Sequence, residues 1–219
     1  MKINEIGKVL EAQGIFTGGP PELFENAGRL QISTLIREGL NPDAKLLDVG
    51  CGCLRAGYWL VRFLDPECYF GIEPNQQMLE AGIRNCLTPQ LVLEKKPCFD
   101  TNDRFDFSVF GIKFKVVLAR SIWTHASKLQ IETMLDSFVA NCSRGAFFLT
   151  SFIPAKLWGR GDYRGDKWIG RSHQSQEPGL IRHSRSWIQR ICESRQLSVK
   201  ELPDKPFNSQ RWLKISQAS

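Results

Sequence analysis

The feature that most constrains this chain is Leu46-Leu47-Asp48-Val49-Gly50-Cys51-Gly52-Cys53, a short apolar run that ends in two glycines one residue apart. A run of this length, bounded by turn residues, reads as a buried strand. Glycine is needed where the backbone turns tightly and approaches a bound group, because it has no Cβ to forbid positive φ. In open parallel sheets, the crevice beyond the carboxyl end of such a strand is where ligands bind. A bare G-x-G occurs in many loops, so the neighbours decide what this one means.

Those neighbours alternate. Hydrophobic patterning predicts strands over 45–49, 68–72, 96–99, 114–119 and 145–152, with helices over 54–63, 75–85 and 128–141 between them. Strand–helix alternation implies parallel strands covered by helices on both faces. Two helices, over 4–13 and 22–38, precede the first strand and form an N-terminal helical cap over residues 1–40. Thr17-Gly18-Gly19-Pro20-Pro21 separates them, and Gly39 with Asn41-Pro42 ends the second. After the fifth strand the rhythm breaks. Residues 153–181 are rich in Gly, Arg, Trp and Pro and read as an irregular insertion. A helix over 184–195, with Ser184 as its N-cap, and strands over 197–201 and 211–215 complete the pattern. At 219 residues with 42% apolar side chains, the expectation is one domain, residues 1–219, with a sizeable core.

Two details distinguish the ligands that the glycine turn can take. A dinucleotide fingerprint wants a third glycine at position 55, where helix and pyrophosphate approach. That position is Arg55, and the next glycine is Gly57. Asp48 also sits inside the strand, where a carboxylate accepts hydrogen bonds from an ammonium or water but repels a pyrophosphate. Adenosylmethionine, with an amino acid and a sulfonium and no phosphate, suits this pattern better than NAD. One strand later, Gly71-Ile72-Glu73-Pro74 places an acid 25 residues after Asp48. An acid at that strand end accepts the ribose hydroxyl protons in nucleotide-binding βαβ units. Taken alone, Glu73 reads better as a solvated loop acid; joined to D-x-G-x-G at this distance, it reads as the ribose acceptor. Pro74 and Met78 flank the adenine on this reading, or simply pack a helix start.

LLDVGCGCLRAG followed by YFGIEPNQQML resembles the class I, Rossmann-like S-adenosylmethionine-dependent methyltransferases. Further points of likeness are FENAGRLQ at 24–31, Asn102-Asp103, and Ser121-Ile122-Trp123-Thr124-His125. The resemblance spans roughly residues 22–152. It implies a three-layer α/β fold with a mostly parallel seven-stranded sheet. It also implies that Asp48, Gly50, Cys51 and Gly52 hold the methionine end and Glu73 the ribose. Asp103 then approaches the adenine amino group, and Arg120 and Ser121 line the cofactor floor with backbone. Asn102-Asp103 also suits a simple turn.

Arg120, Ser121, Trp123 and His125 follow the fourth strand, at the edge where an acceptor meets the methyl group. His125 suits a general base, since imidazole exchanges protons near neutral pH; a packing histidine fits as well. The Asn/Asp-Pro-Pro-Tyr/Phe signature of amino-group methyltransferases is absent, which weighs against an amine or amide target.

Charge sharpens the reading of the insertion. The chain carries a net +6, and between Ser151 and Arg190 eight Lys/Arg face three acids, a net +5. Within 153–181, Trp158, Tyr163 and Trp168 are interleaved with Arg160, Arg164, Lys167 and Arg171. Such a segment serves as a lid on an anionic or sugar-like acceptor, as a surface loop with packed tryptophans, or as a nucleic-acid contact by stacking and phosphate pairing. The small charge excess, with no repeated basic helix, weighs against nucleic acid. His173 and His183 border the insertion without a determining neighbour.

Seven scattered cysteines, an odd number, read as reduced thiols. Cys51-x-Cys53 lacks a second ligand pair at metal spacing, so no metal is expected. There is no apolar run of membrane-spanning length, no membrane partner is expected, and a cytoplasmic location is the default. The expected function is methyl transfer from adenosylmethionine to a small-molecule or carbohydrate-like acceptor, by O-methylation. The alternatives are methylation of RNA or protein through the basic lid, and a non-catalytic adenosylmethionine-binding module.

Overall fold

The structure, a computed structural model, describes residues 3–203 and 209–217. Residues 1 and 2 of the expected cap lie outside the described residues. Two compact units divide the chain, Met1–Asn102 and Asp103–Ser219.

The first unit contains α1 (Ile3–Ala12), α2 (Phe24–Arg37), β1 (Leu46–Val49), α3 (Gly57–Phe63), β2 (Tyr69–Ile72), α4 (Gln76–Cys86), α5 (Pro89–Lys95) and β3 (Cys98–Asp100). β1 and β2 are buried at every position, as central parallel strands are. They pair in parallel with Asp48 opposite Gly71, and Gly71 lies opposite Phe99 of β3. The order within the unit is β3-β2-β1. α1 packs against α2 and α4, and α2 against α3.

Glycine decides two of these approaches. A Cβ on Gly28 of α2 would stand 2.3 Å from the Arg55 carbonyl oxygen, and one on Gly82 of α4 would stand 2.5 Å from the Cys53 carbonyl carbon. Both helices therefore press directly on the chain that follows the glycine turn.

Two departures from the patterning have local causes. α3 starts at Gly57 rather than at 54, because Leu54 is left-handed at φ 62° and fully buried. α5 was not expected. Thr88 caps it by accepting from Leu91 N, Pro89 sits at its first position, and left-handed Lys96 ends it. The third strand is accordingly displaced to Cys98–Asp100.

The second unit contains β4 (Phe114–Ala119), α6 (Lys128–Asn141), β5 (Cys142–Phe152), α7 (Arg185–Glu193), β6 (Leu197–Glu201) and β7 (Arg211–Gln217). Ser127 and Gln130 close a capping box on α6, and Ser184 caps α7. The order is β4-β5-β7-β6. β4 and β5 are parallel, whereas β5–β7 and β6–β7 are antiparallel. Seven strands are thus described, and the sheet is mixed rather than all parallel, since β7 runs antiparallel to both of its neighbours. Nine residues separate β6 from β7, enough to join antiparallel strands, where parallel ones need a crossover. Trp123 and Phe148 meet edge-on, with centroids 6.0 Å apart, in the buried centre of this unit. Among the described residues, no helix is long and apolar enough to cross a membrane.

Candidate functional site

The chain leaves β1 through three left-handed residues at alternate positions: Gly50 at φ 69°, Gly52 at φ 57° and Leu54 at φ 62°. Backbone hydrogen bonds fix the turn. Gly50 N and Cys51 N both donate to the Ile72 carbonyl, at 2.8 and 3.1 Å, which carries the β1–β2 ladder past the strand ends.

Glu73 completes the bracing. Its carboxylate accepts from Gly52 N at 2.9 Å through Oε2 and from Asn75 N at 2.9 Å through Oε1. One side chain thereby ties the turn after β1 to the turn after β2. Each carboxylate oxygen has further acceptor capacity beyond one hydrogen bond. Met78, whose backbone N–H donates to Asn75 Oδ1 at 3.0 Å, carries its sulfur over Gly52, 3.4 Å from where a Cβ would stand. Pro74 lies between the Glu73 and Asn75 anchors and is half-buried.

Asp48 is buried, 3% exposed, and its Oδ2 accepts from the Tyr69 hydroxyl at 2.9 Å. Burial pushes its carboxyl from the ordinary 3.8 up to about 7; the Tyr69 bond and Arg55 oppose the rise, and Glu73 adds to it. The Cys51 thiol, also buried, occupies space that a Cβ on Gly71 would invade at 2.9 Å. Burial pushes the Cys51 thiol up, and that of Cys53 up to about 12, so both are neutral. Among the described residues, no group of three His, Cys, Asp or Glu is placed to hold a metal.

Arg55, which stands where a dinucleotide fingerprint has its third glycine, turns away to the N-terminal segment. Its Nη1 donates to the Thr17 and Gly18 carbonyls, both at 3.2 Å. A Cβ on Gly18 would stand 3.2 Å from that guanidinium, so the Gly18-Gly19 pair makes room for it.

The first unit therefore brings Asp48, Gly50, Cys51, Gly52, Glu73 and Met78 together at the ends of two adjacent strands. Asp103, Arg120, Ser121 and His125 belong to the second unit. Asp103 is half-exposed and lies 3.5 Å from His173 Nε2 of the insertion. Arg120 donates from Nη1 to Ser151 Oγ at 2.6 Å and to Gln210 Oε1, with its guanidinium 4.9 Å from the Trp212 ring centroid. Ser121, left-handed at φ 62°, donates its N–H to Ser151 Oγ at 2.8 Å and accepts from Gln210 Nε2 at 2.9 Å. The carboxyl end of β4 is thus bound by side chains of β5 and the approach to β7.

His125 joins the insertion. Its Nδ1 lies 2.7 Å from the Ile169 carbonyl, its own carbonyl accepts from Ile169 N at 2.9 Å, and its ring stacks on Trp168 at 5.3 Å. A nitrogen facing a carbonyl carries the proton, so Nδ1 is the protonated position and Nε2 the basic one. Burial lowers the pKa below 6.5, against hydrogen bonds to the Ile169 and Gly179 backbone, so the ring is neutral. His183 is fully buried with Nε2 3.0 Å from the Ala126 carbonyl, and belongs to the packing under the insertion.

Sequence reasoning missed Tyr69, although strand alternation places it on the face of β2 that carries Gly71, opposite Asp48. It also missed Ser151, Gln210, Trp212 and Ile169, whose contacts span 30 to 92 residues and leave no local signal.

No family model matches the chain, and no curated protein matches it. Solved structures do. Magnesium protoporphyrin IX methyltransferase from Synechocystis, with bound S-adenosylhomocysteine, has a TM-score of 0.63 at 16% identity, over 89% of this chain and 83% of that one. The glycopeptide N-methyltransferase MtfA, complexed with S-adenosylmethionine, has a TM-score of 0.64 at 12% identity, over 85% of this chain and 92% of that one. An S-adenosylmethionine-dependent methyltransferase from Clostridium acetobutylicum has a TM-score of 0.62 at 11% identity, over 88% and 91%. At identities this low the likeness is one of fold, and the fold is the Rossmann-like α/β fold of class I methyltransferases.

Proposed function

We propose that this chain is a single-domain methyltransferase that binds S-adenosylmethionine at the β1 and β2 turns and methylates an oxygen of a small-molecule acceptor. The observation that carries the reading is the Glu73 carboxylate held against Gly52 N–H, in a fold whose relatives were solved with this cofactor or its product. The donor set fits. Gly50 and Gly52 leave the backbone open to the methionine end, Asp48 offers a carboxylate to its ammonium, and Glu73 offers further acceptor capacity to the ribose. Pro74 and Met78 then border the adenine. We keep Asp103 for the adenine amino group and the Arg120–Ser121 backbone for the cofactor floor; His173 competes for the first.

When bound, the cofactor supplies an electrophilic methyl on a sulfonium. Asp48, Gly50, Cys51, Gly52 and Glu73 would hold that group, and transfer of its methyl to the acceptor oxygen would leave the neutral thioether. The hydroxyl proton needs a base, and we assign it to Nε2 of His125. Its neutral ring, oriented by the Ile169 carbonyl, is ready to accept a proton. Rate enhancement otherwise comes from positioning. The named acceptors of the relatives differ, a metalloporphyrin and a glycopeptide among them. That diversity leaves the acceptor to the lining of this chain.

Titration calorimetry with S-adenosylmethionine and S-adenosylhomocysteine tests the reading. Both are expected to bind, and Glu73→Ala and Asp48→Ala to weaken both. Unchanged binding in the two variants would sink the assignment.

A further inference from the structure

The insertion presents one side chain that methyl transfer does not use. Trp158 is 99% exposed, and its backbone is left-handed at φ 60° beside Gly159 at φ 71°. An indole with no cover is rare on a folded surface, and a bulky residue seldom adopts that conformation. The turn beneath it is closed. Gly159 N donates to the Lys156 carbonyl at 3.1 Å, Lys156 N to that of Arg160 at 3.0 Å, and Asp162 N to that of Gly159 at 3.0 Å. Asp162 is pinned in turn, accepting from Lys128 Nζ at 2.6 Å and from Ser184 N at 2.7 Å. The tryptophan is therefore held outward by an anchored turn.

Its neighbours are cations. Lys156, Arg160, Arg164 and Lys167 are all exposed, and none forms an ion pair among the described residues. Asp162, the acid closest to Trp158 in sequence, is spent on Lys128. Asp166 is the one exposed acid between Lys156 and Lys167. The other rings of the insertion face inward or are tied down: Trp168 stacks on His125, and the Tyr163 hydroxyl donates to the Lys167 carbonyl at 3.0 Å. A single outward ring is a poor platform for successive bases, which need several. An indole flanked by cations matches an anionic bilayer instead. Indoles favour the headgroup level, and polybasic segments are drawn to acidic lipid.

We propose that the turn over 156–167 is a peripheral docking surface for an anionic lipid bilayer. Trp158 enters the headgroup boundary, while Lys156, Arg160, Arg164 and Lys167 meet the lipid anions. This is attachment to a surface, not a span, and it departs from the expectation of no membrane partner. Neither part holds the chain alone, since stable anchoring takes two signals.

Co-sedimentation of the full chain with phosphatidylcholine vesicles, with and without phosphatidylserine, tests it. Capture is expected only with phosphatidylserine, and is expected to fall steeply as salt screens the charges. Each cation reversed is expected to weaken capture about fivefold or more, so Lys156→Glu with Arg160→Glu costs at least about 25-fold. Trp158→Ala is expected to weaken what remains, with circular dichroism confirming that each variant is folded. Failure of phosphatidylserine vesicles to capture the chain, or equal capture of all variants, overturns the proposal. So does tight, salt-dependent binding of single-stranded RNA that the same variants abolish, without vesicle capture. The cofactor reading is independent: vesicle capture with no cofactor binding refutes that reading and leaves this one standing.

Discussion

The turn after β1 and the insertion after β5 are both irregular backbone, yet they are held in different ways. The turn is fixed by backbone: left-handed glycines, ladder bonds that run past the strand ends, and one carboxylate gripping two N–H groups. The insertion is fixed by distant bonds, such as Ile169 N to the His125 carbonyl, Ile181 N to the Thr124 carbonyl, and Asp162 to Lys128. The bonds of the turn reach 21 or 22 residues, across one βαβ unit, whereas these bonds of the insertion reach 34 to 57. Long-range fastening yields a segment that detaches when one fastener is cut.

Four measurements break or sharpen this contrast. The largest effect concerns Asp48, at the foot of the rigid turn. Its folded value of about 7 lies above the ordinary 3.8, so folding favours the protonated form. Its contribution is undisturbed below the unfolded value, and stability falls as pH rises from about 4 to about 7, by on the order of 4 kcal/mol. Urea unfolding across that window should show the slope, and Asp48→Asn should remove it. A cofactor ammonium that pairs with Asp48 should also release a proton on binding, seen by calorimetry in buffers of different ionisation heat.

Next is Gly82→Ala, which drives a Cβ to 2.5 Å from the Cys53 backbone and should cost about 3 kcal/mol in urea unfolding. Glu73→Ala, which removes the bridge between the two turns, should weaken cofactor binding about 100-fold, near the loss of one or two hydrogen bonds to a charged group. An unchanged affinity would remove Glu73 from the ribose site. The smallest effect belongs to the insertion. His125→Phe keeps a ring against Trp168 and loses the bond to Ile169; it should cost about 1 kcal/mol and open residues 153–181 to limited proteolysis. If His125 is also the base, kcat drops far more than stability does. Because its folded value is lowered, the His125 contribution to stability is full above the ordinary 6.5 and declines as pH falls below it.

The same contrast explains what the sequence disclosed. β4 and α6 fall where the patterning places them, because apolar alternation and helical periodicity are local signals. Gly50, Gly52 and Glu73 were legible because a tight turn restricts residue type at each position. α5 escaped notice although Thr88-Pro89 carries a start signal, since only seven residues follow before Lys96 ends it. The bond from the Tyr69 hydroxyl to Asp48 depends on strand register and leaves no signal in the sequence. The Arg120–Ser151–Gln210 cluster was beyond reach, because three strands must assemble before those side chains meet. The antiparallel ending was likewise silent in the patterning, which records strands and not their direction.

The Glu73 bridge has a kinetic consequence. Because one carboxylate already locks the two turns, the conformational entropy of ordering them is surrendered during folding, before any ligand arrives. Encounter then needs no loop closure in the first unit, so the association rate should be set by diffusion and orientation. Changes to the turn should appear chiefly as a shorter residence time.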